Sequence, residues 1–208
     1  IALANCVFGH ISYHLLWMNF LANAKSERLL LNILPEVIAD RLKESSQPIA
    51  DRLEGVTVLF ADICGFTPLS ESLPPEGLVH LLNQIFSEFD ALAEKHGLEK
   101  IKTIGDAYMA AAGLPKPRPD HAVAVANMAL DMVRLMERFQ APNGRKVQMR
   151  IGLHSGPVVA GVIGSKKFSY DLWGDTVNTA SRMESHGVVA AIQVSDATRQ
   201  LLGDRYTF

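Results

Sequence analysis

The sequence has little of several features that would assign it to familiar classes of protein. Its 208 residues include only two cysteines, Cys6 and Cys64, so a disulfide framework is not expected and a reducing compartment is favoured. The formal net charge is −2, and the chain therefore lacks the basic excess of a general nucleic-acid-binding protein. It also contains neither the G-x-x-x-x-G-K-[ST] phosphate loop nor the G-x-G-x-x-G dinucleotide motif. Any nucleotide chemistry must rest on other residues.

Charge is also missing from the first 24 residues, which include no Asp, Glu, Lys or Arg. About 20 mostly apolar residues can span a bilayer, and Trp17 suits an interfacial belt with Lys25 just beyond it on a cytoplasmic side. Residues 1–24 are therefore predicted to be an apolar helix that ends a transmembrane region and anchors the rest of the chain at the inner face of the membrane. The alternative is a helix buried against a partner in a soluble sensor, because His10 and Asn19 are costly in lipid.

Residues 25–48 are predicted to form a signalling linker helix. Apolar residues recur there at three- and four-residue steps, and Pro35 should break the helix or kink it. A narrow apolar stripe favours a two-stranded coil that transmits a signal, although packing on the chain's own domain is the alternative. Residues 49–208 then form the remaining predicted domain, after a short Ser- and Pro-containing linker.

The pattern of residues 49–208 alternates between strands and helices. Residues 56–61 read as a buried strand, residues 100–104 and 107–111 as a hairpin, and residues 148–159 as a third strand region. Helical patterns follow Pro74 and Asp120. This order predicts an α+β fold, a ferredoxin-like βαββαβ sheet covered by helices on one face.

Two aspartates stand out because each follows an apolar stretch. Asp62 ends the strand at residues 56–61, and Asp106 lies in the turn of the predicted hairpin. Two carboxylates on neighbouring strands can hold two divalent cations a few ångströms apart, an arrangement used for in-line attack on a phosphate. The small, Gly-containing loop after Asp62 lets backbone N–H groups approach phosphate oxygens. The pair therefore indicates nucleotide chemistry without a P-loop.

Four segments in order resemble the class III nucleotidyl cyclase catalytic domain. They are residues 60–67 (FADICGFT), 100–106 (KIKTIGD), 149–156 (MRIGLHSG) and 170–183 (YDLWGDTVNTASRM). Residues 29–35 (LLLNILP) also resemble the helix before this domain in membrane-bound and sensor-coupled members. The resemblance runs from about residue 29 to residue 208, and four motifs in order leave little room for chance.

The resemblance implies two divalent cations, Mg²⁺ or Mn²⁺, held by Asp62, Asp106 and the backbone carbonyl of Ile63. It implies that Arg150 binds phosphate oxygens, which suits the planar fork of a guanidinium. The phosphate loop would be formed by Gly65, Phe66 and Thr67.

The remaining site residues would act on the ribose, the reacting phosphate and the base. The resemblance makes Asn178 the ribose-orienting residue and Arg182 the residue that meets charge developing on the phosphate. It makes Lys102 and Asp171 the base-reading residues. Lysine only donates and ionised aspartate only accepts, which complements the N1 acceptor and 6-amino donor of adenine. These two residues therefore point to ATP.

The expected function is an adenylate cyclase that forms 3′,5′-cyclic AMP and pyrophosphate by attack of the ribose 3′-oxygen. In this family each site lies between two chains, so a homodimer through the catalytic domain and helical linker is implied. Alternatives are a guanylate cyclase, a palm-type polymerase or diguanylate cyclase, and a non-catalytic dimerising module that senses nucleotides. Members usually carry a further strand pair with a triphosphate-contacting lysine, which is not seen before Phe208.

Overall fold

The computed structural model describes residues 17–18, 20–21, 25, 30–31, 33–44, 47–141, 144, 146–164 and 167–208. The chain divides into two compact units. One comprises residues 1–47 with 164–169, and the other comprises residues 48–163 with 170–208.

The first unit contains helix α1, Glu36–Glu44. The carbonyl of Pro35 accepts hydrogen bonds from the backbone N–H groups of Ile38 and Ala39, both at 2.9 Å. The helix therefore begins directly after the proline and does not run through it, as expected for a residue that cannot donate in a helix interior.

The predicted apolar helix at residues 1–24 lies outside the described residues, apart from Trp17, Met18, Phe20 and Leu21. Within the described part of the chain, the structure contains no helix with the length and apolar character that a membrane span requires.

The second unit is built on a twisted sheet, and its described strands number six. They are β1 (Ala50–Ile63), β2 (Glu99–Ile104), β3 (Ala107–Ala112), β4 (Met149–Ile163), β5 (Ser169–Trp173) and β6 (Ile192–Val194). The strand order is β2-β3-β1-β4-β5, and β6 pairs with β4 in parallel. The pairs β2–β3, β3–β1 and β1–β4 are antiparallel.

Helices connect these strands in the predicted order. They are α2 (Phe66–Glu71), α3 (Pro75–His96), α4 (His121–Met136), α5 (Asp175–Ser185) and α6 (Asp196–Leu202), followed by a 3₁₀ turn at Gly203–Arg205. The predicted ferredoxin-like α+β fold is confirmed. Strand β1 begins six residues earlier than predicted, because residues 50–53 pair with β4 although none of them is buried.

Helices lie on both faces of the sheet, whereas the sequence predicted one covered face. Side chains alternate along a strand, and one face carries the core beneath α3 and α4. That core includes Leu59, Ala61, Ile63, Met149, Ile151, Leu153, Phe89, Met128 and Met132. The intervening positions, Asp62, Arg150 and Gly152, therefore point to the opposite face. Helix α5 lies there, because a Cβ added to Gly152 would come within 2.1 Å of the Glu184 backbone nitrogen.

A chain of hydrogen-bonded side chains links α4 to α6. Its members are, in order, His121, Thr57, Ser155, Thr198, Ser195 and His154, at successive distances of 2.7, 2.7, 2.9, 3.2 and 2.6 Å. Burial lowers the pKa of both histidines. We call these six side chains the hydroxyl chain.

A surface cluster of charges holds α3 against α4. Asp131 accepts from Lys95 Nζ at 2.7 Å, from His96 Nε2 at 2.9 Å and from Arg134 Nη1 at 3.1 Å. The hydrogen bond from Lys95, and then that from His96, lowers the pKa of Asp131 to about 2. The carboxylate is therefore bound in its charged form by both helices.

Candidate active site

Asp62 and Arg150 face each other across neighbouring strands. They are directly paired in the β1–β4 register, so their side chains leave the same face of the sheet. Arg150 Nη2 donates to Asp62 Oδ2 at 3.0 Å, and Arg150 Nε donates to Glu184 Oε1 at 3.0 Å. The guanidinium is therefore held between two carboxylates, one from a strand and one from α5.

Asp106 is brought beside Asp62 by the β2–β3 hairpin. The turn needs a left-handed residue, which Gly105 supplies with φ of 62°, and the next residue, Ala107, pairs with Asp62. Burial raises the pKa of Asp106, and the negative charge of Asp62 and a hydrogen bond with its carboxyl raise it further. Two carboxyl groups are therefore held close together where water screens their repulsion poorly. A multivalent cation would relieve that repulsion.

The loop after Asp62 wraps toward the same edge. Cys64 N donates to Gln148 O at 2.8 Å, and Gly65 has a left-handed φ of 71° that lets α2 begin at Phe66. Gly65, Phe66 and Thr67 therefore lie at the start of α2, directly after the acid-bearing strand. Burial is the largest cause that raises the pKa of Cys64, as expected of a small residue packed under the loop.

Lys102 and Asp171 form a second group. Lys102 is on β2 and Asp171 on β5, yet Lys102 Nζ lies 2.5 Å from Asp171 Oδ2. The second oxygen of Asp171 accepts from the backbone N–H of Leu172 at 2.8 Å. The two side chains remain accessible, at 38% and 17% exposure. A donor and an acceptor are therefore presented side by side.

Asn178 and Arg182 share the outer face of α5. The inner face carries Thr176, Ala180 and Glu184, which are buried and spaced four residues apart, while Asn178 and Arg182 are exposed. A helix turns about 200° over two residues, so each of the exposed pair points away from the buried row. The structure therefore does not bring Asn178 and Arg182 into the group formed by Asp62, Asp106 and Arg150.

Glu184 is the residue that sequence reasoning missed as part of this site. It lies one residue beyond the fourth resembling segment, residues 170–183, yet its side chain is 10% exposed and binds Arg150. The four-residue spacing from Thr176 through Ala180 to Glu184 was the available signal, because such a row marks one face of a helix.

Among the described residues, no cluster of three or more His, Cys, Asp or Glu side chains is arranged to hold a metal ion. A cation site here would therefore depend on two carboxylates, those of Asp62 and Asp106, together with backbone oxygen such as that of Ile63. Oxygen ligands of this kind suit Mg²⁺ and Mn²⁺.

Comparison with known proteins decides the family. Residues 49–208 match the family described as the adenylate and guanylate cyclase catalytic domain. The chain belongs to this family. The match contains both aspartates, the Lys102–Asp171 pair and all of α5.

Relatives of this cyclase domain act on different nucleotides by name. An adenylate cyclase of Mycobacterium tuberculosis is 51% identical over 183 residues, which are 88% of this chain and 41% of that protein. Guanylate cyclase soluble subunit beta-2 of Rattus norvegicus is 43% identical over 182 residues, 87% of this chain and 27% of that protein. The guanylate cyclase domain of RhGC from Catenaria anguillulae, solved in complex with GTP, has a TM-score of 0.73 at 42% identity and covers 76% of this chain and 86% of that chain. The chain therefore spans about two fifths, 41%, of the length of the M. tuberculosis relative.

Proposed function

We propose that this cyclase domain is an adenylate cyclase, which converts ATP to 3′,5′-cyclic AMP and pyrophosphate. The single observation that carries the choice of ATP is the adjacent Lys102 ammonium and Asp171 carboxylate. Lysine can donate to adenine N1 and aspartate can accept from the 6-amino group. Guanine presents a donor at N1 and an acceptor at O6, so both contacts would be mispaired, and a site built on hydrogen bonds discriminates strongly in such a case.

Two divalent cations, Mg²⁺ or Mn²⁺, fit the acids of this chain. Asp62 and Asp106 would hold them together with the Ile63 carbonyl, and the observation that supports the fit is the position of Asp106 beside Asp62, with which the next residue, Ala107, is paired. When bound, the cations supply positive charge that lowers the pKa of the ribose 3′-hydroxyl and neutralises the triphosphate. Arg150 would then turn from Asp62 toward phosphate oxygens, and the loop at Gly65 would offer backbone N–H groups to them.

Two residues of α5 would act on the ribose and on the reacting phosphate. Asn178 would orient the ribose so that its 3′-oxygen is in line with the α-phosphorus, a positioning effect that can supply much of the rate. Arg182 would stabilise the charge that develops on the transferring phosphate. Both residues extend from the exposed face of the helix, where a substrate held by a second chain can reach them.

A homodimer with two shared sites follows, because the site residues fall into two groups that different chains would supply. Asp62, Asp106 and Arg150 would belong to one half of a site, and Lys102, Asp171, Asn178 and Arg182 of the other chain to its second half. Each chain carries both sets, so a two-fold dimer through the catalytic domain and linker helix yields two equivalent sites.

We also propose that the cyclase domain is cytoplasmic and held at the inner face of a membrane, downstream of a sensor. The support is the charge-free apolar sequence of residues 1–24, followed by Lys25 and Arg28. Proteolysis followed by membrane fractionation of the full-length protein tests this, since release of the protein by high salt alone would contradict a membrane span.

A guanylate cyclase is the second candidate function, favoured by the 43% identity to the rat guanylate cyclase subunit. Purified full-length protein given ATP or GTP with Mn²⁺ distinguishes the two, with products separated by chromatography. Cyclic AMP as the main product is expected. Cyclic GMP in excess, or no cyclic product from either nucleotide, would contradict the assignment.

Mixed dimers test the shared site. Asp62→Ala and Arg182→Ala should each be inactive as homodimers, because every site lacks one essential group. A mixed dimer has one site that lacks both groups and one intact site. Random exchange makes about half of the dimers mixed, so about a quarter of wild-type activity should return. Absence of any recovery, with subunit exchange verified by a tag, would mean that each site is built within one chain.

A further inference from the structure

We propose that Glu184 is a positioning residue, which fixes Arg150 of its own chain for phosphate binding. Because Glu184 lies on the helix that carries Asn178 and Arg182, it would tie the metal-binding half of one site to the catalytic helix of the other. This inference rests on the proposed function, and it concerns a residue to which no part of that function has been assigned.

The first observation is how tightly α5 is seated on β4. A Cβ on Gly152 would lie 2.1 Å from Glu184 N, 2.6 Å from Met183 C and 2.7 Å from Ala180 O. All three atoms are backbone, so only glycine allows the helix to approach the strand this closely. Gly152 is two residues from Arg150, on the same face of β4. The close approach therefore places the Glu184 carboxylate directly over the arginine.

The second observation is the way Arg150 divides its donors. Nε is held by Glu184 at 3.0 Å and Nη2 by Asp62 at 3.0 Å. Asp62 is a proposed cation ligand, so its bond to Arg150 must be exchanged when cations and nucleotide bind. Glu184 has no such second task. It can keep the Nε bond throughout and thereby fix the plane of the guanidinium, so that the Nη2 donor released by Asp62 stays where a phosphate oxygen can accept from it.

The third observation is burial. The Glu184 side chain is 10% exposed, and a buried carboxylate is retained only with a charged, hydrogen-bonded partner. Removal of Glu184 would leave Nε of the partly buried Arg150 without its acceptor, and the guanidinium would be free to rotate. The expected consequence is weaker phosphate binding, which appears as a raised KM for nucleotide with a smaller change in kcat.

A double-mutant cycle on nucleotide affinity tests the pairing whatever the assembly of the site. Affinity for ATP is measured calorimetrically in the presence of Ca²⁺ for Glu184→Ala, Arg150→Ala and the double variant. Each single change should weaken binding about tenfold, the scale of one charge-assisted hydrogen bond, and the double variant should be no weaker than Arg150→Ala. Effects that multiply, or a Glu184→Ala affinity equal to wild type, would overturn the proposal.

Two further variants separate positioning from structural support. Glu184→Gln keeps an oxygen that can accept from Nε, so it should recover most of the affinity lost in Glu184→Ala. Thr176→Val is the matched control, because Thr176 is buried on the same helix face and its hydroxyl donates to Pro157 O at 2.6 Å. It should lower Tm without raising KM. A raised KM in Thr176→Val equal to that in Glu184→Ala would reduce Glu184 to a residue that merely seats the helix.

Addition of Glu184→Ala to one chain or the other of the mixed dimer identifies the half-site in which Glu184 acts. The working site of the Asp62→Ala and Arg182→Ala mixture takes its Arg150 from the Arg182→Ala chain. Glu184→Ala added to that chain should raise KM about tenfold, and the same change added to the Asp62→Ala chain should leave KM unchanged. The reverse pattern would mean that Glu184 acts through the outer face of α5. If the parent mixture itself is inactive, the shared-site proposal fails, while the affinity cycle still decides the role of Glu184.

Discussion

Substitution of Gly152 by alanine should be the most damaging single methyl addition in this sheet. The added Cβ would lie 2.1 Å from a backbone nitrogen of α5, with two more backbone atoms within 2.7 Å. Atoms of this kind rest at about 3.5 Å, so helix and strand must separate by about 1 Å or more. No flexible side chain is available to yield, because every clashing atom belongs to the main chain.

Two opposing effects decide the magnitude. Alanine in a strand gains about 0.5–1 kcal/mol over glycine from reduced chain entropy. Overpacking costs about 1–3 kcal/mol, and more where backbone must move, so the loss should dominate and Tm should fall by several degrees, at about 2–4 °C per kcal/mol. The activity loss should be larger, because a displacement of about 1 Å in a catalytic group can cost about 100-fold.

The assay is thermal unfolding together with cyclic nucleotide production. Gly55→Ala is the matched control, since its Cβ would meet only the edge of His121 at an ordinary 3.5 Å. It should keep near-normal Tm and turnover. If Gly152→Ala also behaves like wild type, the tight seating of α5 on β4 is wrong, and with it the route by which Glu184 reaches Arg150.

Three other outcomes are expected. Asp62→Ala and Asp106→Ala should each retain less than about a tenth of wild-type turnover with native circular dichroism, because both acids serve the same cations; higher retention would contradict the paired-acid site. Lys102→Glu combined with Asp171→Cys should shift preference from ATP toward GTP, with each mispaired group costing about 1–3 kcal/mol, and full retention of ATP preference in competition assays would refute base reading by these residues. Asp131→Asn should lower the free energy of unfolding by about 1 kcal/mol at pH 7 after allowance for solvent screening. Because the pKa of Asp131 is depressed to about 2, that difference in urea titrations should be complete above pH 4 and vanish as pH falls toward 2; a difference that does not change with pH would point to packing instead.

The fold was accessible from sequence where local pattern and long-range structure agree. The apolar run before Asp62 lies in the core as predicted, and the methionines of α4 lie there as well, because burial is what produces such patterns. The start of β1 was missed, since residues 50–53 pair with β4 outside the buried core and do not form an apolar run. The second covered face was missed for a related reason. The sequence alone does not reveal that Gly152 permits a close approach, because the helix that approaches it, α5, is identified only in the structure.

The site residues also divide into those that the sequence predicts and those that only long-range contacts reveal. Motif resemblance predicted Asp62, Asp106 and Arg150, and the structure brings these three together. The contact between Lys102 and Asp171 joins strands that are far apart in the sheet order, which spacing in the chain does not reveal. Glu184 was overlooked because its importance lies in a contact with a residue 34 positions away.

The hydroxyl chain constrains the protons of its two terminal histidines. It contains five contacts but only four hydroxyl protons, so one of the two Nδ1 atoms must carry a hydrogen and the other must accept one. His121 and His154 therefore hold opposite tautomers, and an exchange between them requires all four hydroxyl groups to reverse direction in concert. If both rings became imidazolium ions, six protons would compete for five contacts and one bond would have to break. Protonation of one histidine therefore changes the hydrogen bonding of the other, through four side chains that carry no charge themselves.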